Sequence, residues 1–221
     1  MAGLAGKLSE PLSAKLAMAG MGVLGAGSVA LLDGSESDGT NLITGASDLD
    51  FTTWAALAST KTINNATSPA GTLTACRILE DVTTDRHGIY NSSIFTITGG
   101  SSHTYSVYAK SITRRYMQII LAVGGSAKIY AYFDLQSGAV TNSGTVSPSG
   151  GTAVTSTSIA AAVNGFYKCT ITGIVDGTST GPFFQFMASD VGTYGAPLTA
   201  DSPSFAGNTS NGIYVWRPKA V

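Results

Sequence analysis

The chain has 221 residues, of which 43% are hydrophobic and only 11% charged, so one or at most two domains can bury a sizeable core and disorder is disfavoured. Twelve basic residues against thirteen acidic ones leave a net charge of −1, too balanced to supply the general phosphate attraction on which nucleic-acid binders rely. With 27 glycines, and serine plus threonine making up about a quarter of the chain, the composition suits strands and tight turns and argues against a mainly helical protein.

The first element is an apolar run, LAMAGMGVLGAGSVALL from Leu16 to Leu32, with Lys7 and Lys15 upstream. Glu10 within the would-be basic region and the want of an A-x-A site count against a secretory signal. Membrane insertion is also a poor fit. The run is a little short of the ~20 residues that a bilayer core needs, and Gly20, Gly22, Gly25 and Gly27 weaken it as a helix. An apolar arm outside the main domain buries itself most naturally against another subunit or a host assembly, which makes Leu16, Met18, Met21, Val23, Leu24, Val29, Leu31 and Leu32 the expected assembly contacts. Packing of the same run on its own domain is the alternative. The polar stretch DGSESDGTN, from Asp33 to Asn41, reads as a linker, so residues 1–40 form arm and linker and 41–221 form the body.

In the body, short apolar or alternating runs are separated by clusters of Gly, Ser, Asn and Asp. Strands are expected at 94–98, 104–110, 116–123, 128–135, 166–175, 183–189 and 212–216. Seven or more strands with turn chemistry between them imply an all-β fold, a two-sheet antiparallel jelly-roll sandwich. Cys76 and Cys169 lie in two strand-like runs and read as small buried apolar groups, though a single bridge between them stays open.

Because side chains alternate, each strand divides into two faces. Met117, Ile119, Leu121 and Val123 face inward, as do Ile129, Ala131, Phe133 and Leu135, and then Tyr167, Cys169, Ile171 and Val175. The opposite faces carry Tyr116 and Gln118, then Lys128, Tyr130, Tyr132 and Asp134, then Lys168, Thr170 and Thr172. Flat rings beside amide, carboxylate and hydroxyl groups suit a sugar, whose C–H face stacks on aromatics while its hydroxyls need polar partners. Tyr116, Gln118, Tyr130, Tyr132 and Asp134 are therefore the candidate glycan-binding residues. Cross-strand aromatic pairing is the structural alternative.

No catalytic constellation emerges. His87 and His103 fit no metal-ligand spacing, and Glu80, Asp81 and Asp85 do not make an acid pair, since adjacent carboxylates on a strand point to opposite faces. Asp48 and Asp50 alternate onto one side, but a Ca²⁺ site would need several further oxygens. The expectation is a non-enzymatic protein with no cofactor and no metal.

The motifs N-L-I (Asn41 to Ile43), F-x-x-W (Phe51 to Trp54), N-A-x-x-P-x-G-T-x-T-A (Asn65 to Ala75), E-D (Glu80, Asp81), S-V-Y-A-K (Ser106 to Lys110), R-Y (Arg115, Tyr116), Y-F-D-L-x-x-G-x-V (Tyr132 to Val140), G-F-Y-K-C-T-I-T (Gly165 to Thr172) and G-I-Y-V-W (Gly212 to Trp216) follow one another in collinear order. That order resembles a jelly-roll module common in tailed-bacteriophage virion proteins, similar to carbohydrate-binding and concanavalin A-like lectin domains. The resemblance implies a structural protein on the virion's outer surface, a head decoration, fibre or spike subunit. It would be joined to other virion proteins by its arm, often trimeric, and in contact with host-surface polysaccharide. A secreted or cell-surface carbohydrate-binding module, or a virion cement protein that binds no glycan, are the alternatives. The chain departs from the pattern at its end, where Arg217, Pro218 and Lys219 follow the last tryptophan; proline cannot continue a central ladder, so the strand is expected to stop there.

Overall fold

A computed structural model describes residues 40–43, 51–92, 95–123, 127–146, 151–176, 183–192 and 204–221. In chain order its strands are β1 (Ala55–Leu57), β2 (Ser59–Thr67), β3 (Leu73–Glu80), β4 (Thr84–Asp85), β5 (His87–Ser92), β6 (Ser102–Ser111), β7 (Tyr116–Val123), β8 (Ala127–Asp134), β9 (Ala139–Val146), β10 (Ala153–Ala161), β11 (Tyr167–Ile174), β12 (Phe183–Ser189), β13 (Phe205–Ala206) and β14 (Gly212–Ala220). Among the described residues there is no α-helix, only a 3-10 turn at Val163–Gly165, and no helix long and apolar enough to cross a membrane.

Sheet 1 runs β1-β5-β12-β7-β8-β9 and sheet 2 runs β10-β11-β6-β14-β3-β2, while β4 and β13 form a small clip. The central strands β5-β12-β7-β8 lie opposite β11-β6-β14-β3, and the chain passes repeatedly from one sheet to the other, which is jelly-roll topology. One buried cluster fills the space between the sheets. It takes Met117, Ile119 and Leu121 from β7, Ile129 and Phe133 from β8, and Cys169 and Ile171 from β11, the inward sets that alternation assigns. Trp54 stacks on Phe186 with ring centroids 4.9 Å apart, and Phe51 and Phe184 pack against the same indole.

Two expectations are corrected. Residues 95–98 form no strand; Phe95 and Ile97 reach the core from irregular chain, and Ile94 lies outside the described residues. The last strand does not stop at Pro218. Its pairing with β6 slips between Trp216 and Lys219 and then resumes at Lys219↔Ser106. Arg217 takes a φ of 52° there, so the proline's missing N–H falls in a bulge, and its carbonyl accepts a hydrogen bond from Asn41 Nδ2 at 3.2 Å. Cys76 and Cys169 are the small buried groups expected, and the bridge left open between them is excluded. β14 and β6 lie between their strands, which therefore run ~14 Å apart, beyond the reach of a disulfide. Both cysteines are free and buried, and desolvation pushes the Cys76 thiol up to about 12 and raises that of Cys169 as well.

The crossing from β6 to β7 is held by ion pairing. Residues Ile112, Thr113 and Arg114 all direct their N–H groups to the Gly212 carbonyl, which draws the loop against the start of β14. Arg114 then forms a bidentate pair with Glu80, through Nε to Oε1 and Nη2 to Oε2, the latter at 2.8 Å, and its guanidinium lies 4.6 Å from the Phe205 ring centroid. Glu80 is 1% exposed and also accepts the Asn208 N–H at 2.9 Å. Hydrogen bonding to Glu80 raises the Arg114 pKa, so the guanidinium stays charged. Arg114→Ala therefore strands a buried carboxylate, and urea denaturation should show a loss of about 3 kcal/mol, most of it recovered when Glu80→Leu is added.

Candidate functional site

The register of β7 on β8 places Tyr116 opposite Asp134, Gln118 opposite Tyr132 and Ile120 opposite Tyr130. All five candidate glycan residues thus share the face of sheet 1 turned away from the core. The expectation that this face stands open is corrected: Gln118 and Tyr132 have no exposed surface, Tyr130 keeps 6% and Asp134 2%, and Tyr116 alone is half-buried. The rings pack on their own neighbours. Tyr130 and Tyr132 meet edge to face at 6.0 Å, and Ile120 and Val146 complete a second apolar cluster. Gly144 on β9 makes this packing possible, since a Cβ there would stand 3.0 Å from the Tyr130 hydroxyl. Desolvation accordingly raises the Tyr130 phenol and lowers the neighbouring Lys128 ammonium.

Asp134 is the hub of the adjoining turn. Its Oδ1 accepts the N–H groups of Gln136 and Ser137 at 2.9 and 3.1 Å, and its Oδ2 accepts Arg115 Nε, Arg115 Nη2 and the Ser137 hydroxyl at 3.0, 2.6 and 2.5 Å. Five donors occupy both oxygens, so the side chain orders the β8–β9 turn. The Arg115 guanidinium is the largest cause holding the Asp134 carboxyl well below the usual carboxylate range, and Arg115 also lies 5.2 Å from the Tyr116 ring. Beside this pair a depression of about 460 Å3 is lined by Arg115, Ser111, Thr113 and Gln136. Of these, the sequence pattern pointed only to the R-Y dipeptide.

A larger groove, about 490 Å3, runs between β9 and β10. These strands follow one another in the chain but pair with different partners, β9 with β8 and β10 with β11, so two free sheet edges face across a seam. Ser143 and Thr145 line it from one side and Thr152, Thr155, Ser156 and Thr157 from the other, and no ionisable side chain takes part. Strict alternation would turn Ser156 away from its neighbours. The ladder to β11 slips between Val154 and Ser156, and past this bulge Ser156 pairs with Thr172 and Thr157 with Ile171, so their side chains again alternate between the two faces. Sequence reasoning missed the whole set, because the two halves belong to Ser/Thr-rich runs without an apolar period.

Four of the acid–base candidates, His87, Glu80, Asp81 and Asp85, have hydrogen-bond partners within the fold. His87 is fully buried, with its ring nitrogens 2.6 and 3.1 Å from the carbonyl oxygens of Ala58 and Phe205. Glu80 serves Arg114 and Asn208, whereas Asp81 accepts from the Thr83 N–H and hydroxyl at 2.8 and 2.5 Å, contacts that lower its pKa. Asp85 accepts the Arg86 N–H at 2.7 Å, and His103 is half-buried on β6 beside Tyr105. Among the described residues no three His, Cys, Asp or Glu side chains gather as a metal site. Asp48, Asp50 and the arm residues Leu16 to Leu32 lie outside the described residues.

No protein-family model matches the chain, and no curated protein matches it.

A carboxyl whose folded pKa is depressed contributes stability that is present above its unfolded value and lost as pH falls through the folded one. The gap in unfolding free energy between the parent and Asp134→Asn should be about 2 kcal/mol at pH 7. It should stay level down to about pH 4 and narrow below that. Urea titrations across pH measure it.

Proposed function

We propose that this chain is a non-enzymatic structural protein of a tailed-phage virion, a decoration, fibre or spike subunit held by its N-terminal arm, whose jelly roll contacts host-surface saccharide. The observation that carries the saccharide reading is the β9–β10 groove, a concavity of about 490 Å3 lined mainly by serine and threonine residues. A saccharide presents alternating O–H donors and oxygen acceptors, and a hydroxyl can serve as either, so an array of serine and threonine side chains can match one without a fixed protonation state. The virion setting rests on the collinear motifs between Asn41 and Trp216 and on an apolar arm preceding a domain that has its own core.

Individual neutral hydrogen bonds add little net free energy, so a single copy binds weakly and clustering multiplies affinity through effective concentration. A glycan array probed with the protein displayed on a multivalent carrier should return saccharide ligands; binding to none of them at high display density overturns the saccharide reading. The anchoring role is checked separately, with a chain beginning at Asp33. It should keep the sandwich's thermal transition and lose incorporation into particles, and unchanged incorporation refutes the arm.

A further inference from the structure

Resting on that saccharide reading, we infer that the β9–β10 groove selects neutral polysaccharide and grips an internal stretch of it, passing over acidic glycans and chain ends. Three features of the groove lead there.

The first is charge. The lining consists of Ser, Thr, Gly, Ala and Val and holds no cation, and three of the described cations are tied elsewhere: Arg114 with Glu80, Arg115 with Asp134, and Lys61 with the carbonyls of Phe51, Thr52 and Trp54. A uronate or sialate carboxylate entering the groove would lose hydration and meet no lining cation to offset it. A neutral sugar exchanges its water for hydroxyl partners on nearly even terms.

The second is hydrogen-bonding capacity. Ser143, Thr145, Thr155, Ser156 and Thr157 make no side-chain hydrogen bond with the described residues, so each can give and accept one with a ligand. Thr152 is 9% exposed; its Oγ1 already accepts the Asp176 N–H at 3.1 Å, which leaves its O–H to donate.

The third is shape. The groove follows a strand edge, and six residues from Thr152 to Thr157 span roughly 17 Å at the usual strand rise, room for about three sugar rings in a row. A trough along an edge places the same groups against each successive ring. Recognition then depends on the repeating unit and is indifferent to the reducing end.

The test uses the full-length protein and titration calorimetry with defined probes: neutral gluco- and manno-oligosaccharides of two to six rings, their reducing-end-blocked forms, and oligogalacturonate and oligosialate as acidic counterparts. Affinity for a neutral series should climb from the disaccharide and level off at three to four rings, and blocking the reducing end should change it less than twofold. Replacing Thr145, Thr155 and Thr157 together by Val keeps β-branched side chains on the strands and should weaken binding by about tenfold or more. Thr60→Val and Thr62→Val, on the far edge strand β2, should leave it unchanged. Tighter binding of the acidic probes, loss of binding on end-blocking, or parental affinity in the triple Val variant with an unchanged thermal transition each overturns this inference while leaving saccharide binding itself standing. No binding by any saccharide, in calorimetry and on the multivalent array alike, overturns the underlying reading as well.

Discussion

A two-sheet sandwich has four strand edges, and every edge exposes main-chain donors and acceptors that must be paired, covered or made unattractive to other chains. This chain treats its two sides differently. On one side, β1 and β2 belong to different sheets and are joined through Ala58, whose φ of 41° turns the corner in one residue. The Ala58 carbonyl then accepts from His87 Nδ1 and from the Asp81 N–H, so that corner is tied to both sheets. The β2 edge is broken by register shifts around Asn64, itself at a φ of 52°. On the other side β9 and β10 are left facing each other, and the groove is the space between them.

Charge is used sparingly and at the point of greatest topological need. The chain must cross from β6 in sheet 2 to β7 in sheet 1, and it does so through consecutive arginines. Arg114 pairs with Glu80 at the end of β3 and Arg115 with Asp134 at the end of β8, so one dipeptide fastens both layers. Buried ion pairs recover the cost of desolvation only when geometry is good and the remaining lone pairs are satisfied. Both conditions are met here: Glu80 gains the Asn208 N–H, and Asp134 gains three donors from Gln136 and Ser137.

How much was legible in the sequence follows from which physical signal each element emits. β11 alternates apolar and polar residues because one face meets the core, β7 and β12 are largely apolar runs of strand length, and the limits of all three were read to within a residue. β2, β9 and β10 carry STKTINNAT, AVTNSGTV and AVTSTSIAA, edge strands with little to bury and hence no period to detect. The faces of Gln118, Tyr130 and Tyr132 were legible, but their burial was not, since alternation gives a direction and says nothing of what lies beyond it. Pro218 misled for a related reason. The rule against proline in a ladder holds, yet a left-handed Arg217 removes that residue from the ladder and lets the strand continue.

The hydroxyl edges also give the low charge of this chain a physical reading. Lysine is the commoner way to blunt an exposed strand edge, because its charge repels other edges, but it would place a cation in the β9–β10 seam. Serine and threonine offer less protection against pairing, and here bulges make up the difference. The ladder slips between Tyr132 and Phe133 where β9 pairs with β8, and between Val154 and Ser156 on β10, so neither edge presents a long flat template. Along the same stretch Thr155, Ser156 and Thr157 are among the residues that line the seam. An edge that resists further β-pairing while keeping its hydrogen-bonding groups available is what the proposed contact with a neutral polymer requires, because a polysaccharide, unlike a peptide, cannot extend the sheet.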